Sequence, residues 1–244
     1  MRVRDWSMVA GAMALGACQG EPAAPQPAPA AEQPDAPSRP AAGPEIRVLA
    51  FGDSLFAGYG LGDPKLAYPA RLEAALREQG LNVRIANAGV SGDTTAAGRQ
   101  RLAFTLDSQP AKPDLVLLEL GGNDLLRGLP PERTRANLAA MLEELRQRGI
   151  PVVLMSVQAP PNYGAKWQAQ FDAIYPALAE RYGAALVPFV TEKVFANPQM
   201  LQADRVHPTA RGVEALVAAT EDAVAEALPP PSGEGDQTKS GVGD

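Results

Sequence analysis

Three residues of this sequence could act together as a nucleophile and the base that activates it. Ser54 stands in the segment 52–55 (GDSL), His207 is the only histidine among 244 residues, and Asp204 precedes it by three positions. A serine hydroxyl is a poor nucleophile until a base, most often histidine, takes its proton. A carboxylate that accepts the histidine Nδ1–H fixes the tautomer, and this spacing lets Asp204 reach His207 across one turn of a loop. The pattern predicts acyl transfer by Ser54, with His207 as the base and Asp204 as its orienting carboxylate.

Two further segments could supply hydrogen-bond donors for a negative charge. Gly92 lies in the segment 91–94 (SGDT), and Asn123 lies in the segment 121–124 (GGND). A tetrahedral oxyanion needs preorganised N–H donors about 3 Å away. Glycine lets its backbone N–H approach a ligand closely, and asparagine offers two side-chain N–H donors. We therefore predict an oxyanion hole formed by the backbone N–H groups of Ser54 and Gly92 and by the side chain of Asn123.

The elements that must position these residues alternate between short apolar runs and helical patterns. Strands are predicted at 46–51, 83–86, 115–118, 152–155 and 185–187. Helices are predicted at 68–79, around Leu102 and Leu106, and at 131–147, 166–182 and 209–228, the last of them started by Pro208 at a position where its missing N–H costs nothing. Such alternation implies right-handed crossovers and a parallel sheet covered by helices on both faces. The pattern predicts a three-layer α/β/α, flavodoxin-like fold with strand order 2-1-3-4-5.

The predicted strand order explains how distant segments could meet. Ser54 follows the first strand, Gly92 the second, and Asn123 the third. In a sheet of order 2-1-3, the loops after strands two and three flank the loop after strand one, and ligands bind at this carboxyl edge. Asp53, beside the nucleophile, is expected to accept structural hydrogen bonds rather than to serve as a second base.

These segments resemble the sequence blocks of the GDSL or SGNH hydrolase family. Within that family the chain resembles the bacterial subgroup of periplasmic thioesterases, lysophospholipases and arylesterases. The resemblance covers nearly all of residues 46–228, and we assign the hydrolase domain to residues 45–228. It implies hydrolysis of a small-molecule or lipid acyl ester or thioester through an acyl-Ser54 intermediate, with the catalytic and oxyanion residues already named. It implies no cofactor and no metal.

The resemblance also implies which residues contact the substrate. They are expected to be Leu125, Ala159, Pro160, Asn162 and Tyr163, and they follow the predicted third and fourth strands. Leu125 stands where the subgroup often has a small residue, and Ala159 is smaller than the apolar residue expected in that loop. These two differences leave the preferred acyl chain length open.

Composition excludes several other classes of function. The net charge is −6 and the sequence has no Lys/Arg-rich run, which argues against nucleic-acid binding. With one cysteine and one histidine, the chain has neither an internal disulfide nor a typical zinc cluster. It lacks a phosphate-binding P-loop, a dinucleotide-binding glycine motif after the first strand, and a Gly-x-Ser-x-Gly nucleophile elbow. We expect a monomer.

The N-terminal residues have the features of an export signal. Two arginines precede a short apolar run, and the segment 15–18 (LGAC) resembles the lipobox of bacterial lipoproteins. We predict a lipoprotein-type signal peptide over residues 1–17, lipid attachment at Cys18, an Ala/Pro-rich spacer over 18–44 and a disordered tail over 229–244. The protein is then periplasmic and membrane-anchored, and Gln19 after the cysteine favours the outer membrane. An ordinary signal peptide is the alternative.

Two alternative functions stay open at this point. A carbohydrate or peptidoglycan O-acetylesterase would use the same triad, although apolar residues near the site favour an acyl chain over a sugar. Those apolar residues are Leu125, Leu126, Leu129 and Tyr163. A non-catalytic, flavodoxin-like envelope binding module is the second alternative, and it predicts no covalent labelling by a fluorophosphonate probe.

Overall fold

Five parallel strands form the sheet at the centre of residues 42–230, the part of the chain that the computed structural model describes. The strands are β1 (Ala42–Gly52), β2 (Leu81–Asn87), β3 (Leu115–Glu119), β4 (Val152–Val157) and β5 (Ala185–Val190). Their order is β2-β1-β3-β4-β5, and every neighbouring pair is parallel. The predicted fold class and strand order are therefore confirmed. The signal peptide, Cys18, nearly all of the spacer and nearly all of the tail lie outside the described residues.

Helices follow each strand and cover the sheet. They are α1 (Ser54–Ala57), α2 (Tyr68–Glu78), α3 (Thr95–Asp107), α4 (Gly122–Leu126), α5 (Pro131–Gln147), α6 (Ala165–Asp172), α7 (Ile174–Tyr182), α8 (Glu192–Phe195) and α9 (Ala210–Ala227). Short 3-10 turns lie at Pro64–Leu66, Pro161–Tyr163 and Pro198–Met200. Within residues 42–230, no helix combines the length and the apolar character needed to cross a membrane.

The core is divided by the sheet into two apolar layers. Along β3, Leu115 and Leu117 belong to the layer that includes residues of α2 and α9, whereas Val116 and Leu118 belong to the layer that includes residues of α3, α5 and α7. This division follows the pleat, in which successive side chains point to opposite faces. All five residues of β3 are buried, as expected for a parallel strand covered on both sides. The sheet edge that carries the site is thus held by core packing on both faces.

Two predicted helix boundaries were wrong. The helix expected over 166–182 is interrupted at Ala173, because Pro176 lacks the N–H that would bond to Asp172 and its ring would meet that carbonyl. The final helix does not start at Pro208, which instead forms an antiparallel bridge with Leu201. Thr209 caps that helix, and its side chain accepts the Gly212 N–H at 3.2 Å.

Candidate active site

Ser54 lies where β1 gives way to α1. Asp53 caps this short helix, and its Oδ1 accepts the Leu55 N–H at 3.0 Å. As the first residue of the helix, Ser54 has a backbone N–H without an intrahelical acceptor. A Cβ on Gly52 would lie 2.8 Å from the carbonyl oxygen of Glu119, so only glycine allows β1 and β3 to approach this closely here. The Ser54 hydroxyl and N–H therefore both lie at the carboxyl edge of the sheet.

His207 is carried by a short hairpin that spans residues 201–208. Leu201 and Pro208 form its antiparallel bridge, and the Gln202 N–H donates to the His207 carbonyl at 2.8 Å. The turn closes through a hydrogen bond from the Arg205 N–H to the Gln202 carbonyl at 3.0 Å, with Arg205 at a φ of 58°. A non-glycine residue with positive φ is uncommon, and it occurs where the surrounding structure enforces it. The turn brings Asp204 back over His207.

Asp204 is fully engaged as an acceptor of hydrogen bonds. Its Oδ2 lies 2.7 Å from Nδ1 of His207, and its Oδ1 accepts the backbone N–H groups of Val206 at 2.9 Å and His207 at 3.0 Å. These bonds, first among them the one from the His207 side chain, lower the pKa of Asp204 to about 2. The carboxylate is therefore ionised at every pH well above that value.

The imidazole of His207 joins Asp204 to Ser54. Its Nε2 lies 2.9 Å from Ser54 Oγ. A neutral ring with its proton on Nδ1 donates to Asp204 and accepts the Ser54 hydroxyl proton at Nε2, and the hydrogen-bond network favours this tautomer. The three residues selected from the sequence thus form a continuous chain of hydrogen bonds through which the hydroxyl proton can leave.

Asn123 and Gly92 lie on the two loops that flank Ser54. Asn123 Nδ2 donates to Asp53 Oδ2 at 3.0 Å, which leaves a second amide N–H free to face the cavity that Asn123 and Ser54 line. Gly92 has a φ of +86°, a conformation that favours glycine. Its N–H donates to no acceptor within residues 42–230, and its carbonyl accepts from Arg127 Nη2 at 2.9 Å. Both residues can therefore present an N–H to a bound oxyanion.

The loop that carries Asn123 is fixed by the buried carboxylate of Asp124. Its oxygens accept the Thr95 N–H of α3 at 2.8 Å and the Thr134 hydroxyl of α5 at 3.1 Å. A buried carboxylate that lost these donors would carry a large desolvation cost. Asp124 thus ties the loop after β3 to α3 and α5, and these bonds fix the position of Asn123.

Glu119 is a buried acid for which the sequence patterns predicted no role. It ends β3, is completely buried, and its Oε2 accepts the Asp53 N–H at 3.2 Å, while its Oε1 has no partner in the described part of the chain. Burial and the negative charge of Asp53 raise the pKa of Glu119 well above its usual range. Burial also raises the pKa of Asp53, but hydrogen bonds from Leu55, Asn123 and Glu119 oppose this. We conclude that Glu119 is neutral and that Asp53 carries the charge that holds Asn123. An acid ending an otherwise apolar strand was the available signal.

Replacing Glu119 with glutamine is expected to flatten the pH dependence of stability. Because the folded-state pKa of Glu119 is raised, its contribution to stability is complete below its unfolded value of about 4.5 and is lost as pH rises through the folded-state pKa. In Glu119→Gln, the free energy of unfolding should therefore fall less than in the parent between about pH 5 and about pH 9. Urea unfolding across this range measures the slope. Glu78→Gln, an exposed change on α2, is the control, and equal slopes in the parent and Glu119→Gln would refute the prediction.

A cavity of about 770 Å³ opens beside Ser54 and Asn123. Its apolar wall includes Leu125, Leu126, Val157, Ala159, Val190 and Phe195, and Pro160 also lines it. The Ala159 N–H donates to Asp172 Oδ1 and its carbonyl accepts from Gln168 Nε2, both at 2.8 Å, so α6 holds this wall in place. No sequence pattern indicated Phe195 or Val190, because their approach to Ser54 depends on where the chain after β5 turns back.

Two residues expected to contact substrate lie away from the cavity surface. Asn162 is exposed and is not among the lining residues. Tyr163 is also absent from the lining, and its hydroxyl donates to the Leu125 carbonyl at 2.8 Å while its ring stacks on Trp167. In this structure Tyr163 therefore contacts the Leu125 backbone without lining the cavity.

Comparisons with known proteins show which family the chain resembles. A model of the GDSL-like lipase/acylhydrolase family matches residues 50–215. An arylesterase of Vibrio mimicus is 43% identical over 162 residues, which are 66% of this chain and 80% of that protein. The thioesterase 1/protease 1/lysophospholipase L1 of Escherichia coli is 38% identical over 161 residues, covering 66% of this chain and 74% of its own length. The crystal structure of AlinE4, an SGNH-hydrolase family esterase, has 63% identity and a TM-score of 0.64 over 78% of this chain and all of that one.

Proposed function

The chain belongs to the GDSL-like lipase/acylhydrolase family and is a serine esterase, and from this premise we propose that Ser54 is its nucleophile, His207 its general base and Asp204 the carboxylate that orients His207. One observation carries the assignment: Asp204, His207 and Ser54 are linked by hydrogen bonds of 2.7 Å and 2.9 Å. These distances lie within the range at which a base can abstract a hydroxyl proton.

The acylation step begins with Ser54. As its Oγ attacks the acyl carbonyl carbon, the hydroxyl proton passes to Nε2 of His207, and Asp204 stabilises the imidazolium through Nδ1–H. The carbonyl π electrons move onto oxygen, which becomes the oxyanion. His207 then gives the Nε2 proton to the departing alcohol or thiol as the bond from carbon to the leaving group breaks. The product of this step is an acyl-Ser54 ester.

The oxyanion is stabilised by three donors in this proposal. They are the backbone N–H groups of Ser54 and Gly92 and the free amide N–H of Asn123. Asp53 supports the third donor, because its Oδ2 holds one amide N–H of Asn123 and leaves the other directed at the substrate. Donors that are already fixed need no reorganisation when charge develops, and each contributes about 3 kcal/mol in well-studied hydrolases.

Hydrolysis of the acyl-enzyme repeats the same proton transfers in reverse. Water attacks the acyl carbon and gives its proton to Nε2 of His207. The tetrahedral intermediate then collapses, the bond from Ser54 Oγ to the acyl carbon breaks, and His207 returns the proton to Oγ. The carboxylic acid leaves and the free enzyme is restored. Every proton moves through the chain's own residues.

The apolar cavity supports an acyl chain as the bound part of the substrate. Leu125, Ala159 and Pro160 line it beside Ser54, and apolar walls bind hydrocarbon through the hydrophobic effect. We therefore propose carboxylic esters and thioesters of arylesterase, thioesterase or lysophospholipase type as substrates. Turnover measured across a series of acyl lengths and head groups tests this, and release of acetate from acetylated glycan without turnover of any acyl ester would overturn it.

Covalent labelling is the direct test of the nucleophile. A fluorophosphonate probe should react with the protein, and mass spectrometry should locate the adduct on Ser54. Labelling should disappear in Ser54→Ala and persist in Ser91→Ala, an exposed serine on the flanking loop. A folded protein that does not react would instead support a non-catalytic binding module.

We also propose that the protein is exported to the periplasm and anchored through lipid on Cys18, more specifically at the outer membrane. The support is the segment 15–18, the single cysteine at its end, and the Ala/Pro-rich residues that follow. At about 3.1 Å per residue, the part of the predicted spacer that precedes β1, residues 18–41, would hold the hydrolase domain several nanometres from the membrane. Mass spectrometry of the mature N-terminus decides the matter, since an unmodified Cys18 would remove the anchor.

A further inference from the structure

Tyr59 covers one face of the His207 ring although it stands far from it in the chain. The two ring centroids are 4.4 Å apart with the planes inclined by 36°. Tyr59 follows α1 directly, and its backbone N–H donates to the Ser54 carbonyl at 3.2 Å. The residue therefore touches both the turn that carries Ser54 and the ring that must accept the Ser54 proton. Tyr59 is 53% exposed, so this position contributes little to the core.

Gln202 joins the Tyr59 segment to the His207 hairpin. Its Nε2 donates to the Tyr59 carbonyl at 2.8 Å and to the Pro208 carbonyl at 2.9 Å. Its backbone N–H donates to the His207 carbonyl at 2.8 Å. A Cβ on Gly60 would lie 2.2 Å from Gln202 Oε1, so a glycine at position 60 is what lets the amide sit between the two loops. Gln202 thus connects three points around the site, two through its side chain and one through its backbone.

The His207 hairpin needs such a connection because it lies at the surface. The Asp204 side chain is 40% exposed, whereas that of His207 is 17% exposed. The Asp204–His207 hydrogen bond is internal to the hairpin and cannot orient the hairpin toward Ser54. A misplacement of about 1 Å between reacting groups can cost about 100-fold in rate. The alignment of Nε2 with Ser54 Oγ therefore depends on contacts between the hairpin and the α1 turn.

We propose that Tyr59 and Gln202 form a positioning clamp for His207, in which Gln202 fixes the hairpin to the α1 turn and the Tyr59 ring holds the imidazole plane so that Nε2 faces Ser54. This inference rests on the proposed function, since it assumes that His207 is the base. The Tyr59 ring also favours the imidazolium that forms during attack, because an aromatic face attracts a cation. Neither residue exchanges a proton with the substrate, so both are positioning residues.

Substitutions of Tyr59 distinguish a role in positioning His207 from a purely structural role. In Tyr59→Leu, kcat for a short-chain chromogenic ester should fall about tenfold or more while KM stays within about twofold. Tyr59→Phe keeps the ring and should retain kcat within about twofold. Phe104→Leu is the matched control, because Phe104 is an aromatic residue on α3 that is 75% exposed. A residue that only contacted substrate would raise KM instead, and that result would overturn the clamp.

The single histidine gives a spectroscopic readout of the same contact. His207 is the only histidine in the chain, so its ring resonances are unique in an NMR spectrum. The Tyr59 ring current should shift the His207 carbon-bound ring protons, and this shift should vanish in Tyr59→Leu but remain in Tyr59→Phe. In Gln202→Met, which keeps length but loses both side-chain donors, the His207 signals should also change and kcat should fall about threefold or more.

The outcomes distinguish this inference from the proposed function. If Ser54→Ala is inactive but Tyr59→Leu keeps full kcat and unchanged His207 resonances, the clamp is wrong and the triad stands. If Tyr59→Phe loses as much activity as Tyr59→Leu, the aromatic ring is not what holds His207 in place, and the clamp is again wrong. If Ser54→Ala keeps its activity, both the triad and the clamp fail.

Discussion

Replacing Ser54 with alanine is expected to lower kcat/KM for a short-chain ester by at least about 10⁴-fold. The change removes the oxygen that is the proposed nucleophile, whereas the proposed oxyanion donors and the cavity remain. The small activity that survives would come from a water molecule attacking a bound ester. Steady-state kinetics with an active-site titration of the parent protein measures the loss.

The fold should survive this substitution. Ser54 Oγ bonds to His207 at 2.9 Å, and the α1 turn keeps its backbone bonds, among them Ala57 N–H to the Asp53 carbonyl at 2.9 Å. The urea midpoint of Ser54→Ala should therefore stay close to that of the parent, and Ser91→Ala should behave as the parent in both assays. Substantial turnover by a folded Ser54→Ala protein would refute the assignment of the nucleophile.

Replacing Asp204 with asparagine is expected to lower kcat by about 10⁴-fold. An asparagine can still accept the backbone N–H groups of Val206 and His207 through Oδ1, so the turn should persist. Its Nδ2 is a donor, however, and cannot accept Nδ1–H of His207. The imidazole proton then moves to Nε2, where it faces Ser54 Oγ and prevents that nitrogen from acting as a base.

The factor by which Asp204→Asn lowers kcat should be nearly constant from about pH 5 to about pH 9. The pKa of Asp204 is lowered to about 2, so its carboxylate is charged across this whole range in the parent protein. A lowered folded-state pKa stabilises the fold above the unfolded value of 3.8, and this contribution is lost only as pH falls through about 2. Asp107→Asn, at a surface ion pair with Arg148, is the control. A defect confined to one end of the pH range would argue that Asp204 does not act by fixing the tautomer.

Much of the fold could be predicted from patterns that are local in the chain. The bounds of α5 agree with the sequence prediction over 131–147, because four apolar residues at helical spacing define the buried side of that helix. The apolar run over residues 115–118, which forms most of β3, was recognisable as the covered centre of a parallel sheet. The break at Ala173 was also readable in principle, since Pro176 is visible in the sequence and its effect on the preceding turn is local.

Pro208 could not be interpreted in the same way. A proline suits the first position of a helix and equally suits the residue before the cap, so its type alone does not decide between them. The bridge between Pro208 and Leu201 places Pro208 before the cap of α9. That bridge is part of the hairpin that carries His207. Because Pro208 was assigned to the helix, the hairpin that carries His207, the proposed base, was not predicted.

The residue types of the sequence determined which atoms could do chemistry here: one histidine, an aspartate three positions before it, and a serine, a glycine and an asparagine at successive strand ends. The tertiary structure decided what supports them. Glu119 bonds to Asp53 across 66 positions of the chain, and Gln202 bonds to the Tyr59 carbonyl across 143. Such contacts leave no periodic or spacing signal, because they exist only after the sheet and the hairpin have formed. Residue type is a local property of the chain, whereas burial and orientation arise from packing between segments that the sequence keeps far apart.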